Sequence, residues 1–313
     1  MAGMVESGAD SAGILDVRFF APPLQLAPYF TTIYRLNINL AAGDAITDYL
    51  QPEWAGFRMF ARNGPVARSG AGYALDGNSL FQVGGPSSLP TRFTLRETRL
   101  WGFGLLPLGW ATFIGTPAFT RADWIGDGLE APDFAAHRPL FETLFDGDTD
   151  DEAEFGRIVS HFLALEHNHT DRVRILSIHH ALLENAVAQV ADFAERLHMT
   201  TRTLERLCQK HFGFTPSILL RRQRLMRTLS AFMLEKAATW SSVIDQHYHD
   251  QSHFVREFHH FMTMSPSEYA ALPHPVLTAF MAERMRIWGS PVQTLDAPSQ
   301  GNGFMRITFD PRI

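Results

Sequence analysis

The sequence has one cysteine in 313 residues, and its first 136 residues hold neither cysteine nor histidine. A single thiol, Cys208, cannot close an internal disulfide, which fits a reducing compartment. Imidazole and thiolate are the side chains that hold zinc, copper and most catalytic iron. A metal site in the N-terminal region would have to be built from carboxylates alone, and histidine acid–base work and cysteine nucleophiles are excluded there. Long apolar runs are missing too, since charge or glycine breaks every hydrophobic stretch short of bilayer-spanning length. Met1 to Asp10 carries Glu6 and Asp10, with no basic start and no apolar run, so no signal peptide is predicted. The expectation is a cytoplasmic protein with no membrane contact, no metal and no cofactor.

Basic charge is scarce overall, with a formal net charge of −6, but it is unevenly placed. Residues 186–275 hold ten Lys/Arg against eight Asp/Glu, while the remainder is strongly acidic. Arg221, Arg222, Arg224 and Arg227 fall within seven residues, and no acid lies between Glu205 and Glu235. A basic surface on an acidic chain points to a polyanion met by one face. A solvated helix face explains the same run, and four arginines spread around one helix place at most two against phosphates.

Residues from about 14 to 116 read as strands and turns. Leu15–Phe20, Tyr29–Leu40, Phe57–Ala61, Leu80–Val83 and Arg99–Leu106 have strand-like patterns. Ala42-Gly43-Asp44, Asn63-Gly64-Pro65, Asp76-Gly77-Asn78 and Gly84-Gly85-Pro86 separate them as turns. Many short strands predict a sandwich or small barrel. After Pro107 the period becomes helical, with short helices at Gly109–Ile114 and Phe119–Ile125 and a longer one at Phe134–Phe145. The acids from Asp146 to Glu154 read as a loop entering a helix, where they suit the helix dipole. Thr170-Asp171 is placed to cap a helix whose Val173, Leu176, His180, Leu183 and Val187 form a stripe. That stripe fits packing within the chain and equally a helix–helix dimer contact.

From Val187 the pattern becomes specific. Val187, Val190, Ala191 and Ala194 share one face of a helix ending near Leu197. A turn follows at His198-Met199-Thr200, with Thr200 as the cap of a helix from about Thr201 to His211. Leu204, Leu207 and Cys208 point inward; Arg202, Glu205, Arg206 and Gln209 point outward. Gly213 supplies a left-handed stop and Pro216 opens the next helix. This is a helix-turn-helix. About 50 residues later a short helix (Trp240, Val243, Ile244), a turn (Gln246-His247-Tyr248) and an Asp250-capped helix to Phe261 repeat the design. Phe254, Phe258 and Phe261 face inward there, with Gln251, Ser252, His253 and Arg256 on the other side. Between the units Ser217–Leu234 forms a helix of about 27 Å, suited to hold two recognition helices about one DNA turn, near 34 Å, apart.

Thr200–Pro216 and Tyr248–Tyr269 resemble the paired helix-turn-helix of AraC/XylS-type transcription regulators. The most diagnostic stretch runs from Tyr248-His249-Asp250-Gln251-Ser252-His253-Phe254 through Arg256-Glu257-Phe258 to Met264-Ser265-Pro266. The resemblance spans residues 186–275. It implies double-stranded DNA as partner, with base contacts from residues falling on Arg202, Glu205 and Arg206 in the first unit and on Gln251, Ser252, His253 and Arg256 in the second. The chemistry suits this: Arg bonds guanine bidentately, Gln adenine, and Glu accepts from cytosine N4. Arg256 paired with Glu257 or Asp250, and His253 packed in the core, are the plainer readings of those two. Two departures stand out. His247 takes the place of the turn glycine and Thr263 that of the glycine before Ser265-Pro266. A side chain forced to positive φ costs about 1 kcal/mol or more. Cys208 fills a core position rather than a redox site.

The expected fold is thus α+β: a β-rich, cupin-like regulatory domain (1–130), a helical connector with a dimerisation role (131–185), an all-α DNA-binding domain (186–275) and a C-terminal extension (276–313) without an assigned role. Within that extension the sequence predicts a helix near Val276–Trp288 and a strand-like Phe304–Phe309. By architecture the resemblance implies a small-molecule effector, a homodimer, RNA polymerase as a partner and activation rather than repression. Trp54, Phe57, Phe60, Tyr73, Phe81, Phe93, Trp101 and Phe103 serve either as core or as the lining of an apolar pocket, with Arg58, Arg92, Arg96 or Arg99 to hold an anion. No catalytic step is assigned. Two alternatives stand beside this reading: a carboxylate-metal cupin enzyme joined to a DNA-binding tail, and a regulator controlled by a protein partner.

Overall fold

Ten strands and eleven helices run in the order expected of that plan among the residues that the computed structural model describes: 14–166, 168–184, 189–234, 239–288 and 295. The middle layer of the N-terminal region is a six-stranded antiparallel sheet, in the order β1 (Leu15–Phe20), β2 (Phe30–Ile38), β9 (Thr98–Leu105), β4 (Ala55–Phe60), β7 (Phe81–Gly84), β10 (Ile125–Asp127). A second sheet of four strands has the order β3 (Ile46–Leu50), β8 (Thr91–Leu95), β5 (Val66–Ser69), β6 (Ala74–Asp76). The first sheet is covered on both faces, so β9 is buried at every position. Tyr34, Leu36 and Leu100 pack toward Phe93 and Leu95 of the second sheet. Ile33, Trp101 and Phe103 pack toward the helices. Gly102, paired with Tyr34 across β2 and β9, leaves room for the tyrosine ring: a Cβ there would lie 2.1 Å from it and displace it.

The helices are α1 (Pro107–Phe113), α2 (Arg138–Thr143), α3 (Asp151–Ala164), α4 (Arg172–Leu183), α5 (Val190–Arg196), α6 (Thr201–Phe212), α7 (Pro216–Leu234), α8 (Trp240–Val243), α9 (Gln251–Met262), α10 (Pro266–Ala270) and α11 (Pro275–Trp288). The acidic run enters α3 as expected, with Asp150 accepting from the Glu152 N–H. Its acids also dock the helix. Asp151 takes Arg18, Arg35 and Arg99, and Glu154 takes Arg99. Burial alone would raise the Asp151 pKa, but the arginines outweigh it and hold the carboxyl far below its ordinary range.

Several expectations need correction. The two-layered plan is as expected, but the strands of the second sheet and β10 are not among those the sequence predicts. Phe119–Ile125 is a 3-10 turn at Ala118–Arg121 followed by the start of β10, and Phe134–Phe145 is a 3-10 segment (Pro132–His137) leading into α2. On α4 the buried face is Ile175, Ile178, His179 and Leu182, whereas Val173 is 76% exposed. The apolar residues of α4 allow two faces, and Asp171 selects one. Its carboxylate does not cap α4 but binds His211 Nε2 (3.0 Å), Lys210 Nζ (3.2 Å) and Arg174 (3.1 Å). On α5, Phe193 and Ala194 face inward and Ala191 is exposed. Val187 and Phe304–Phe309 lie outside the described residues. The helix expected at Val276–Trp288 is α11. No helix among the described residues is long and apolar enough to cross a membrane.

Candidate nucleic-acid interface and ligand pocket

Both reading helices begin at a side-chain cap. Thr200 Oγ1 accepts from the Thr203 N–H (3.2 Å) at the start of α6, and Asp250 Oδ1 accepts from the His253 N–H (2.7 Å) at the start of α9. Each cap satisfies a donor that the helix itself leaves open. Inward, α6 buries Leu204, Leu207, Cys208 and Phe212, and burial pushes the Cys208 thiol pKa up, as befits a core group. On α9 Phe254, Phe258 and Phe261 are buried, as the spacing predicts.

The outward faces carry the expected residues. Arg202, Glu205, Arg206, Gln251, Ser252 and Arg256 are all exposed. Arg202, Arg206 and Arg256 have no ion-pair partner among the described residues, so Arg256 pairs with neither Glu257 nor Asp250. His253 is set differently: half-buried, with Nε2 3.3 Å from the Glu257 carboxylate. The α7 arginines, by contrast, are all engaged internally. Arg221 and Arg224 bind the buried Glu257, and Arg227 binds Asp245 at 2.7 Å. Burial alone would raise the Asp245 pKa, but the His247 N–H and Arg227 hold it below the ordinary value. Arg222 is fully buried, its guanidinium 4.0 Å above the Trp54 ring and its Nη1 donating to the Ser87 carbonyl. Burial lowers its pKa to about 9, which leaves it charged at neutral pH. The basic run in the sequence is therefore scaffolding, because its helix runs through the middle of the domain.

The two turns differ from expectation in one respect. Thr263 adopts a left-handed φ of 59°, so it bears the strain foreseen for it, but His247 does not have positive φ. His198, in the turn of the first unit, does (φ 51°). Gly213 ends α6 at φ +85°, and a Cβ there would come within 2.9 Å of Pro86.

A pocket of about 100 Å³ lies between the two sheets. Of the aromatic candidates Phe60 and Phe93 line it, with Arg58. Trp54, Phe57, Phe81, Trp101 and Phe103 belong to the main core, Tyr73 is 46% exposed, Arg92 and Arg96 are exposed, and Arg99 is bound to Asp151 and Glu154. The sequence predicts α11 but assigns it no role; in the structure it supplies Leu277, Phe280 and Met281 as one wall of the pocket. At the polar end Arg58 donates to Glu53 at 2.8 Å. Burial alone would lower the Arg58 pKa; Glu53 and the Tyr34 hydroxyl overcome it and keep the guanidinium charged. Gln51 Oε1 is buried there without a partner.

A family profile described as a helix-turn-helix domain matches residues 193–271. No curated protein matches the sequence. Among solved structures, ToxT from Vibrio cholerae in its P21 form is 11% identical, with a TM-score of 0.40, covering 82% of this chain and 97% of that one. Unsaturated fatty acid-bound wild-type ToxT from strain SCE256 of that organism is 11% identical, with a TM-score of 0.40, covering 85% and 96%. The AraC-like transcriptional activator CuxR is 12% identical, with a TM-score of 0.28, covering 71% and 88%. The profile match, the two capped helices and their outward residues agree: residues 193–271 are a helix-turn-helix domain.

Proposed function

We propose that the protein reads a specific DNA sequence through Arg202, Glu205 and Arg206 of α6 and Gln251, Ser252 and Arg256 of α9, with His253 at the edge of the second surface, and that a small molecule in the inter-sheet pocket controls it. The observation that carries the DNA reading is the contrast between unpaired arginines on the reading helices and fully engaged ones on α7. Unpaired, exposed guanidiniums meet bases and phosphates without breaking an internal ion pair. The functional division follows the boundaries 1–130, 131–185, 186–275 and 276–313. The reading includes a cytoplasmic location, contact with RNA polymerase as an activator, and a homodimer through the exposed side of α4 around Val173.

The pocket suits a molecule with an apolar body and one polar end. Its walls are mostly aliphatic and aromatic, Arg58 offers an anion or acceptor site, and Gln51 Oε1 asks for a donor. A carboxylate-metal enzyme is disfavoured by the same lining. Glu53 is its one carboxylate among the described residues, and Arg58 already holds it.

Binding of duplexes selected from a random pool by the full chain tests the DNA reading. Arg206→Ala and Arg256→Ala should each cost about 1–3 kcal/mol, and affinity should fall steeply with salt. Wild-type affinity in both variants refutes the assignment. For the pocket, anilinonaphthalene sulfonate should bind with enhanced fluorescence and one-to-one stoichiometry, and Leu100→Trp, which fills the cavity, should abolish it.

A further inference from the structure

The second helix-turn-helix is fastened to the N-terminal region at the rim of the pocket. Asp48, on β3 and fully buried, caps α11 from the other domain: its Oδ2 accepts from the N–H groups of Val276 (2.9 Å) and Leu277 (2.8 Å). Its Oδ1 lies 3.1 Å from His274 Nδ1. Three residues along, Gln51 Nε2 donates to the Tyr269 hydroxyl at 3.0 Å, and Tyr269 belongs to the hydrophobic core of the second unit. The other end of that amide, Oε1, is buried without a partner, and Gln51 is one of the residues that line the pocket. On α11, Phe280 stands edge-on to Tyr34 at 4.8 Å, and both rings line the cavity. One amide and one helix therefore touch the cavity on one side and the second reading unit on the other.

We infer that Asp48, Gln51 and α11 form a clamp through which occupancy of the pocket controls the second helix-turn-helix. This rests on the pocket being an effector site. The ligand class is an apolar molecule with a hydroxyl or N–H donor. The donor fills Gln51 Oε1 and the body packs on Leu277 and Phe280, so occupancy tightens the clamp. A tightened clamp holds the second unit to the barrel and opposes its adjustment to the spacing that a duplex imposes. A ligand shifts such an equilibrium only by its differential affinity for the two states, and here that difference is the wall that α11 supplies. The first unit has no part in the clamp, so its own binding is insensitive to it.

The test uses the full chain and two duplexes: one selected from a random pool and carrying both half-sites, the other with the half-site of the second unit scrambled. In Asp48→Asn, without any ligand, amide exchange in residues 275–288 should rise at least tenfold while β2 and β9 stay protected. Affinity for the two-half duplex should rise at least fivefold and that for the one-half duplex should not change. Phe280→Ala, which loosens the same helix without touching its cap, should act alike and decides the matter if Asp48→Asn fails to fold. In the wild type, anilinonaphthalene sulfonate, which carries an N–H donor, should slow exchange across 275–288 and lower two-half affinity at least fivefold. In Asp48→Asn that linked loss should fall below twofold.

Unchanged or lowered two-half affinity in the loosened variants overturns the clamp, as does an equal change on both duplexes or an undiminished probe effect in Asp48→Asn. If the probe does not bind the wild type, the effector reading of the pocket fails, while the ligand-free variants still decide whether α11 restrains the second unit.

Discussion

The two helix-turn-helix units are alike in local design and unlike in how they are held. Leu204, Leu207, Cys208 and Phe212 of the first share one continuous core with Trp54, Phe57 and Trp101 of the N-terminal region. The second has a core of its own, built from Phe254, Phe258, Phe261, Tyr269 and the α7 residues Leu225, Met226 and Leu229. Polar contacts reinforce the difference. Asp171 binds the end of α6 to the start of α4, and Arg222 pins α7 to Trp54. The first unit is thus part of a larger body, whereas the second is a small module on a helix and a clamp. Two units that look equivalent along the chain have unequal freedom to move.

Cavity-forming substitutions should expose that inequality most strongly. Leu207→Ala should cost about 2–5 kcal/mol and Phe258→Ala about 3–5 kcal/mol. The first should raise amide exchange throughout the N-terminal region, and the second only in residues 239–272. Equal spread of the two losses would erase the distinction between a shared and a separate core.

Acid should separate the units next. His137 lies in the larger body, with Nδ1 3.0 Å from His161 Nε2, and burial followed by the neighbouring imidazole lowers its pKa to about 4. The unfolded chain therefore binds the proton more readily between pH 6.5 and 4. Stability of the larger body is retained above that window and lost as pH falls through it. Denaturation at pH 7 and pH 5 should differ by about 1–2 kcal/mol from this residue. His137→Phe should remove that part of the slope, and exchange in α9 should not follow it.

The smallest effect concerns the helix stops. Gly213 closes α6 at positive φ without strain, but Thr263 closes α9 at φ 59° with a β-branched side chain. Thr263→Gly should stabilise the second unit by about 1 kcal/mol, read as slower exchange in α9 alone.

Legibility along the chain followed burial. β1 is found at the bounds its pattern predicts, and β2, β4, β7 and β9 within a few residues, because a sheet covered on both faces is written in near-continuous apolar residues. The second sheet, Ile-Thr-Asp-Tyr-Leu or Val-Ala-Arg-Ser in its strands, is short and half polar and resembles the turns around it. The reading helices were legible because capping and outward spacing are local properties. The fate of Arg222 was not, since nothing near it in sequence announces Trp54.

Sequence alone determined the helices α6 and α9, their caps, their inward stripes and the residues they turn outward, because each depends on neighbours within a few positions. Tertiary structure decided which arginines remain unpaired, which face of α4 is buried, and that the helix after the second unit walls the pocket of the first domain. Those outcomes depend on contacts between residues far apart in the chain, such as Asp48 with Val276 and Ser87 with Arg222, and no local pattern encodes them.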